Sequence, residues 1–185
     1  VQGLATGNND RFVRKHWEIE NFALSPPFAK GGAEAWVLPQ VSETVSFGKK
    51  GDQLRRVSGS RFQNTQYYRR EGLTWTYIKD TGRRFGYYPS EGIFSHTGFM
   101  LFPKSEEQSL WNLMATLNSD LFHVLFLSIT TERHWNVGEV GRIPWHEQIS
   151  EIDVLTSYAK EQYQTLLNER IYDPVSPYYM GPAIL

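Results

Sequence analysis

Apolar and polar positions along the chain fall into two regimes that meet near residue 105. Before it, apolar residues come in short runs broken by glycine, proline, serine or asparagine, which is how strands and turns are punctuated. Residues 12–20 alternate imperfectly, with Trp17 and Ile19 set between His16, Glu18 and Glu20, as in a half-buried strand. Further short strands are predicted over 36–38, 67–68, 73–78, 84–88 and 98–102. Residues 3–14 gather glycines, asparagines and an aspartate into a loop that tolerates positive φ. Residues 25–32, SPPFAKGG, cannot be regular, because Pro26 and Pro27 lack amide donors and fix φ. The segment 45–60 contains GKKGDQLRR and little apolar periodicity; it reads as a mobile loop or a short exposed helix that orders on binding.

After residue 105 the spacing becomes helical. Ser105, Glu106, Glu107 and Gln108 have the form of a capping box, which predicts a helix start there. Leu110, Leu113, Met114 and Leu117 then share one face. Asn118, Ser119 and Asp120 offer a second cap, and 121–129 is so apolar that the helix it starts is expected to be buried. Residues 135–145 read as a turn followed by a strand or edge segment closing at Pro144. Ser150 to cap and Ile152, Leu155, Ala159, Tyr163 and Leu166 as a stripe predict a long helix over 150–171. The expected fold class is α+β, with a mixed, largely antiparallel sheet of short strands in the N-terminal two thirds. Two consecutive helices pack that sheet and a C-terminal helix follows. Residues 1–149 are expected to form one domain, and 150–185 a C-terminal helix and tail linking to the rest of a longer protein.

Composition adds bounds. With 185 residues, 40% of them hydrophobic, the chain can bury a sizeable core as one domain. It has no cysteine, which removes disulfides, thiolate metal sites and thiol nucleophiles and suits a reducing cytoplasm. No apolar run reaches the roughly 18 residues that span a bilayer, so a soluble, cytoplasmic protein without a membrane partner is expected. A start at Val1, directly in a motif-like segment, is expected of an excised domain, and a cleaved start would look the same.

Charge changes the picture more. The chain carries a net charge of −1, yet residues 49–84 hold ten basic residues (Lys49, Lys50, Arg55, Arg56, Arg61, Arg69, Arg70, Lys79, Arg83, Arg84) against Asp52, Glu71 and Asp80. That segment is therefore +7 and the remainder −8. Within it, residues 61–88 alternate arginines with tyrosine, tryptophan and phenylalanine. Clustered cations release counterions from phosphates, and interleaved rings and guanidinium planes can stack on or hydrogen-bond to bases. A solvated sheet face with half-buried tyrosines would have the same composition. Because residues 105–185 hold four basic and eleven acidic residues, 105–129 and 150–171 are expected to be structural and to lie away from a polyanion.

Catalytic motifs are scarce. The phosphate-gripping G-x-x-x-x-G-K-[ST] loop, G-x-G-x-x-G, H-E-x-x-H and G-x-S-x-G are all absent. His16, His96, His123, His134 and His146 are scattered without metal-ligand spacing, so no metal site is expected. Ser25-Pro26-Pro27-Phe28 matches the [NDS]-P-P-[YFW] motif with which amino-methyltransferases hold a flipped base. Nothing in the chain supplies the glycine-rich turn for S-adenosylmethionine that this chemistry also needs, so no catalytic residue is assigned.

Four segments in order, GLATGNNDRF (3–12), PFAKGG (27–32), YYRREGLTWTYI (67–78) and NVGEVGRIP (136–144), resemble the target-recognition region of large adenine-specific DNA methyltransferases. These include BREX phage-defence methyltransferases and methyltransferase-containing type II restriction enzymes. The resemblance spans roughly residues 2–147, and residues 49–60 do not align. It implies an α+β domain that docks on duplex DNA and reads a short asymmetric sequence, so that a separate catalytic domain of the same parent chain methylates a flipped adenine. S-adenosylmethionine would belong to that catalytic domain, and no cofactor is expected here.

The expected DNA-binding set is Thr6, Asn8, Asn9, Arg11, Lys30, Lys49, Lys50, Arg55, Arg56, Arg61, Tyr67, Arg69, Arg70, Thr74, Arg83 and Arg84, with Trp75 either a stacking or a core residue. Asn8, Asn9, Arg69 and Arg70 are the expected base readers, because asparagine and arginine bond adenine and guanine bidentately. Lys30, Lys49, Lys50 and Arg61 are expected on the DNA backbone. Gly3, Gly7, Gly31, Gly32 and Gly72 are expected to shape loops. The alternatives are a free-standing DNA-acting enzyme, as a nuclease or a minimal methyltransferase using the SPPF segment, and a protein-interaction domain.

Overall fold

A computed structural model describes residues 1–31, 37–78, 83–105, 107–131 and 133–181. Among the described residues, three small sheets stand where the pattern predicted one. In the first, β1 (Val13–Lys15) pairs antiparallel with β3 (Glu43–Val45). In the second, β2 (Phe28–Ala29) pairs parallel with β6 (Ile93–Phe94). The third is antiparallel in the order β5-β4-β7, built from β4 (Gly72–Thr76), β5 (Gly86–Tyr88) and β7 (Gly98–Leu101). With the helices described below, the chain is α+β.

Two regions of core matter for the site. The larger packs Leu73, Trp75, Phe85 and Phe99 of the three-stranded sheet region against Leu110, Leu113, Met114, Leu117, Phe126 and Trp135. It is covered by α3 (Leu110–Leu117), α4 (Asp120–Ile129), α5 (Val137–Val140) and α6 (Asp153–Arg170), with α6 lying along α3. The smaller joins Leu4, Phe12, Phe28, Val45, Leu54 and Ile93 beneath α1 (Asn9–Phe12) and α2 (Asp52–Arg55). Ala29, Tyr88, Phe94 and Met100 form a third cluster. Tyr88 is fully buried; its hydroxyl donates towards the carbonyls of Pro27 (2.9 Å) and Ile93 (3.0 Å) and accepts from the Ala29 amide.

Several expectations change. Residues 12–20 hold only the short β1, between α1 and a tight 3₁₀ turn over His16–Glu18. Residues 67–68 are not a strand. Asn64 and Arg69 both have positive φ (53° and 59°), which turns the chain on either side of the 3₁₀ segment Thr65–Tyr67. In the 36–38 stretch, residue 36 lies outside the described residues, and Val37 makes an isolated parallel bridge to Gly86. Gly72 opens β4 rather than a loop; Gly32 lies outside the described residues.

The helix expected from residue 105 starts at Leu110 as α3, capped by Ser109, whose hydroxyl accepts from the Asn112 amide. Gln108 turns to the Lys104 amide instead of closing a box with Ser105, and the apolar stripe that could bury a helix only begins at Leu110. Residue 106 of that expected box lies outside the described residues. Ser119 caps α4 as expected, but α4 buries only Phe122 and Phe126; Leu121 and Val124 face solvent, because only one side of the helix meets the core. Residues 137–140 are helical, not extended, because Glu139 reaches back to the Asn136 amide (2.9 Å) and completes a capping box. The long helix runs Asp153–Arg170, preceded by a 3₁₀ turn at Glu147–Glu151 and capped at Ile152 without a side-chain bond, so Ser150 is not its cap.

Candidate nucleic-acid interface

The N-terminal loop is built to present α1. Asn8 is its cap, Oδ1 accepting from the Arg11 amide at 3.0 Å, while buried Thr6 donates its hydroxyl to Asn9 Oδ1 at 2.7 Å. Gly7 takes φ 72°, and a Cβ there would stand 2.7 Å from the Ser58 carbonyl, so only glycine lets this loop lie on residues 58–60. Ala5 and Arg61 exchange backbone hydrogen bonds, both at 2.9 Å. The contacts therefore bring exposed Asn8, Asn9 and Arg11 to the same small core as exposed Arg61.

The segment 45–60, unaligned over 49–60, completes this surface. Leu54 is wholly buried in the small core and anchors α2, leaving Arg55 and Arg56 exposed. The Arg55 guanidinium lies 4.0 Å from the centre of the Phe62 ring and bonds the Lys50 carbonyl. Lys49 and Lys50 are exposed on the preceding turn. Arg11, Lys49, Lys50, Arg55, Arg56 and Arg61 thus gather around one apolar cluster with Asp10 and Asp52 as the acids nearest in sequence. None of the six is ion-paired within the described residues. Uncompensated cations of this density attract a polyanion.

Arg69 and Arg70 diverge. Arg69 donates from Nη2 to the Ala23 carbonyl at 3.0 Å and from its amide to Gly92, which fastens it to the turn at 21–25. Arg70 lies over the Tyr67 and Phe102 rings, which stack 4.6 Å apart, at the edge of an open cleft of about 930 Å³ shared with Lys104, Gln108 and Trp111. Glu71 accepts from the Tyr87 hydroxyl at 2.7 Å instead of pairing with either arginine. Burial first, and then Glu71, push the Tyr87 phenol above its ordinary range.

Other expected site residues are spent inside the fold. Thr74 is buried and donates to the Phe99 carbonyl; Trp75 is buried with Nε1 on the Trp135 carbonyl. Arg84 is only 3% exposed, its guanidinium 4.1 Å from the Trp135 ring centre and bonded to the Arg133 carbonyl. Arg83 reaches the Asn118 carbonyl and the Asp120 carboxylate at the start of α4. Thr6, Thr74, Trp75 and Arg84 are thus buried, and Arg83 bonds the start of α4. Lys30 is half-buried on the rim of a cavity of about 350 Å³ that it shares with Ser42 and Glu43, and Lys79 lies outside the described residues.

The SPPF segment is tied into the surrounding strands. The Pro26 carbonyl accepts from the Val45 amide, and the Pro27 carbonyl from the Ile93 amide and Tyr88 hydroxyl, while Phe28 is 1% exposed. Among the described residues, no three histidine or acidic side chains converge as metal ligands, and no helix is long and apolar enough to cross a membrane.

Sequence reasoning passed over one feature, the turn at residues 21–25. Asn21 Oδ1 accepts from the Ala23 amide, and the Asn21 carbonyl from the Leu24 and Ser25 amides. Phe22 and Leu24 are nonetheless 48% and 41% exposed. The signal was an apolar triplet, Phe22-Ala23-Leu24, inside a loop where no strand or helix could bury it.

No family model matches the chain. It is 26% identical over 155 residues to a protein of Escherichia coli O9:H4 (strain HS) described as adenine-specific methyltransferase BrxX. The match takes in 78% of this chain and 13% of that protein. The similarity supports a methyltransferase-related family.

Proposed function

We propose that this chain is a sequence-reading duplex DNA module of an N6-adenine DNA methyltransferase, of the BREX phage-defence or type II restriction-modification kind, and positions a catalytic domain carried elsewhere in the parent protein. The observation that carries this is the set of unpaired, exposed cations, Arg11, Lys49, Lys50, Arg55, Arg56 and Arg61, ringed around one small core with the Asn8–Asn9 loop. The similarity to a far longer adenine-specific methyltransferase supports it, and in this reading catalysis and S-adenosylmethionine belong to the parent's other domain.

In this reading Lys49, Lys50, Arg55, Arg56 and Arg61 hold phosphates, and Asn8, Asn9 and Arg69 face base edges. Each asparagine already uses Oδ1 locally, so bidentate adenine contact needs that oxygen's second lone pair alongside Nδ2. Arg69 gives Ala23 one of its five N–H donors and keeps the others for guanine. Arg70, which lies over the Tyr67 ring, is assigned no base contact in this reading.

Selection of bound duplexes from a random pool tests the reading. Recovery of a short asymmetric motif, with no binding of S-adenosylmethionine by the chain alone, is expected. Cofactor binding by this chain would favour a minimal enzyme, and a pool recovered without enrichment would remove sequence reading.

A further inference from the structure

We propose that Phe22 is a wedge that inserts between base pairs of the bound duplex and unstacks one step; this rests on the DNA-reading role above. Apolar side chains that part base steps are held on stiff, cation-flanked segments, because phosphate contacts must drive an uncharged ring into the stack. The 21–25 turn has this construction. Its three bonds to Asn21 fix the backbone before any partner arrives, so little ordering entropy is lost on insertion.

Two bonds then place the turn within the basic surface. The Leu24 carbonyl accepts from the Phe47 and Gly48 amides at 3.0 and 2.8 Å, which seats the turn directly beside Lys49 and Lys50. The Ala23 carbonyl accepts from Arg69 on the other side. Phe22, 48% exposed, is therefore held by a turn with cations on both flanks, and Leu24 stands next to it. Lys49, Lys50 and Arg69 outnumber Glu20, the acid next to the turn, so charge complementarity favours a nucleic acid over a protein partner. Trp17 is also exposed, but it belongs to the earlier His16–Glu18 turn, where His16 packs edge-on against its ring and neither the Lys49 turn nor Arg69 is bonded.

A wedge prefers DNA whose stacking is already broken, because part of the unstacking cost is absent. The test compares, at one salt concentration, a matched 24-base-pair duplex with the same duplex carrying one central mismatch. The intact chain is expected to bind the mismatched duplex about five- to tenfold more tightly. Phe22→Ala is expected to lose that preference with the salt dependence of binding unchanged; Phe22→Trp and Trp17→Ala keep the preference. A wild-type chain that binds both duplexes equally, or a Phe22→Ala chain that keeps the preference, overturns the wedge while leaving DNA binding intact. Failure of the wild type to bind either duplex at low salt overturns the DNA-reading role as well.

Discussion

Arg69 donates from its guanidinium to the backbone carbonyl of Ala23 at 3.0 Å while its own backbone sits at φ 59°, a left-handed conformation uncommon for a residue with a Cβ. One side chain thus ties the 67–69 turn to the 21–25 turn across 46 positions of sequence, at a conformational cost. A left-handed non-glycine residue costs about 1–2 kcal/mol, and one hydrogen bond to an exposed carbonyl returns about as much. Arg69→Ala loses the bond and keeps the strain, whereas Arg69→Gly loses the bond and relieves it. Thermal or urea unfolding is therefore expected to find Arg69→Gly more stable than Arg69→Ala by about 1 kcal/mol. Equal stabilities would mean that the turn adopts another conformation.

Arg84 was expected at the DNA and lies in the core instead. Removing a buried cation that stacks on Trp135 and satisfies the Arg133 carbonyl should be costly. Arg84→Ala is expected to lower stability by about 2–4 kcal/mol in urea unfolding and, at a temperature where it is folded, to leave the salt dependence of DNA binding unchanged. A stable Arg84→Ala chain with weakened DNA binding would return this arginine to the interface.

Tyr88 holds the SPPF strand to β6, and burial raises its phenol above the ordinary value of 10. The folded pKa being the higher, the stabilisation is whole below pH 10 and declines as pH rises past it. Tyr88→Phe leaves the Ala29 amide without its hydroxyl partner and is expected to cost about 1–3 kcal/mol at neutral pH. The gap between variant and wild type should narrow above pH 10 when unfolding is followed against pH; a gap that widens there would contradict the assignment.

Periodicity made the helical third legible: the Leu110–Leu117 stripe, the Ser119 cap and the Asp153–Arg170 helix lie within a few residues of where their patterns put them. The strands were legible where burial on both faces gave a long run, as in β4, and illegible at 67–68, where tyrosines that look like strand residues sit on a 3₁₀ turn. What the sequence could not convey was direction. Lys49, Lys50 and Arg61 face solvent, while Arg84 points inward, yet all four contribute the same charge to the +7 segment. Local charge counts see neither the Trp135 ring that receives Arg84 nor the Leu54 anchor that turns Arg55 and Arg56 outward. The Phe22 turn was missed because three apolar residues in a loop carry no period.

The central claim is that the cations around the small core hold DNA phosphates. Titrating the chain against a labelled duplex at a series of salt concentrations measures this directly. Log affinity is expected to fall linearly with log salt, with a slope of several units that shrinks by about one for each of Lys49→Ala, Arg56→Ala and Arg61→Ala. Affinity that is insensitive to salt, or a slope untouched by all three substitutions, would contradict it.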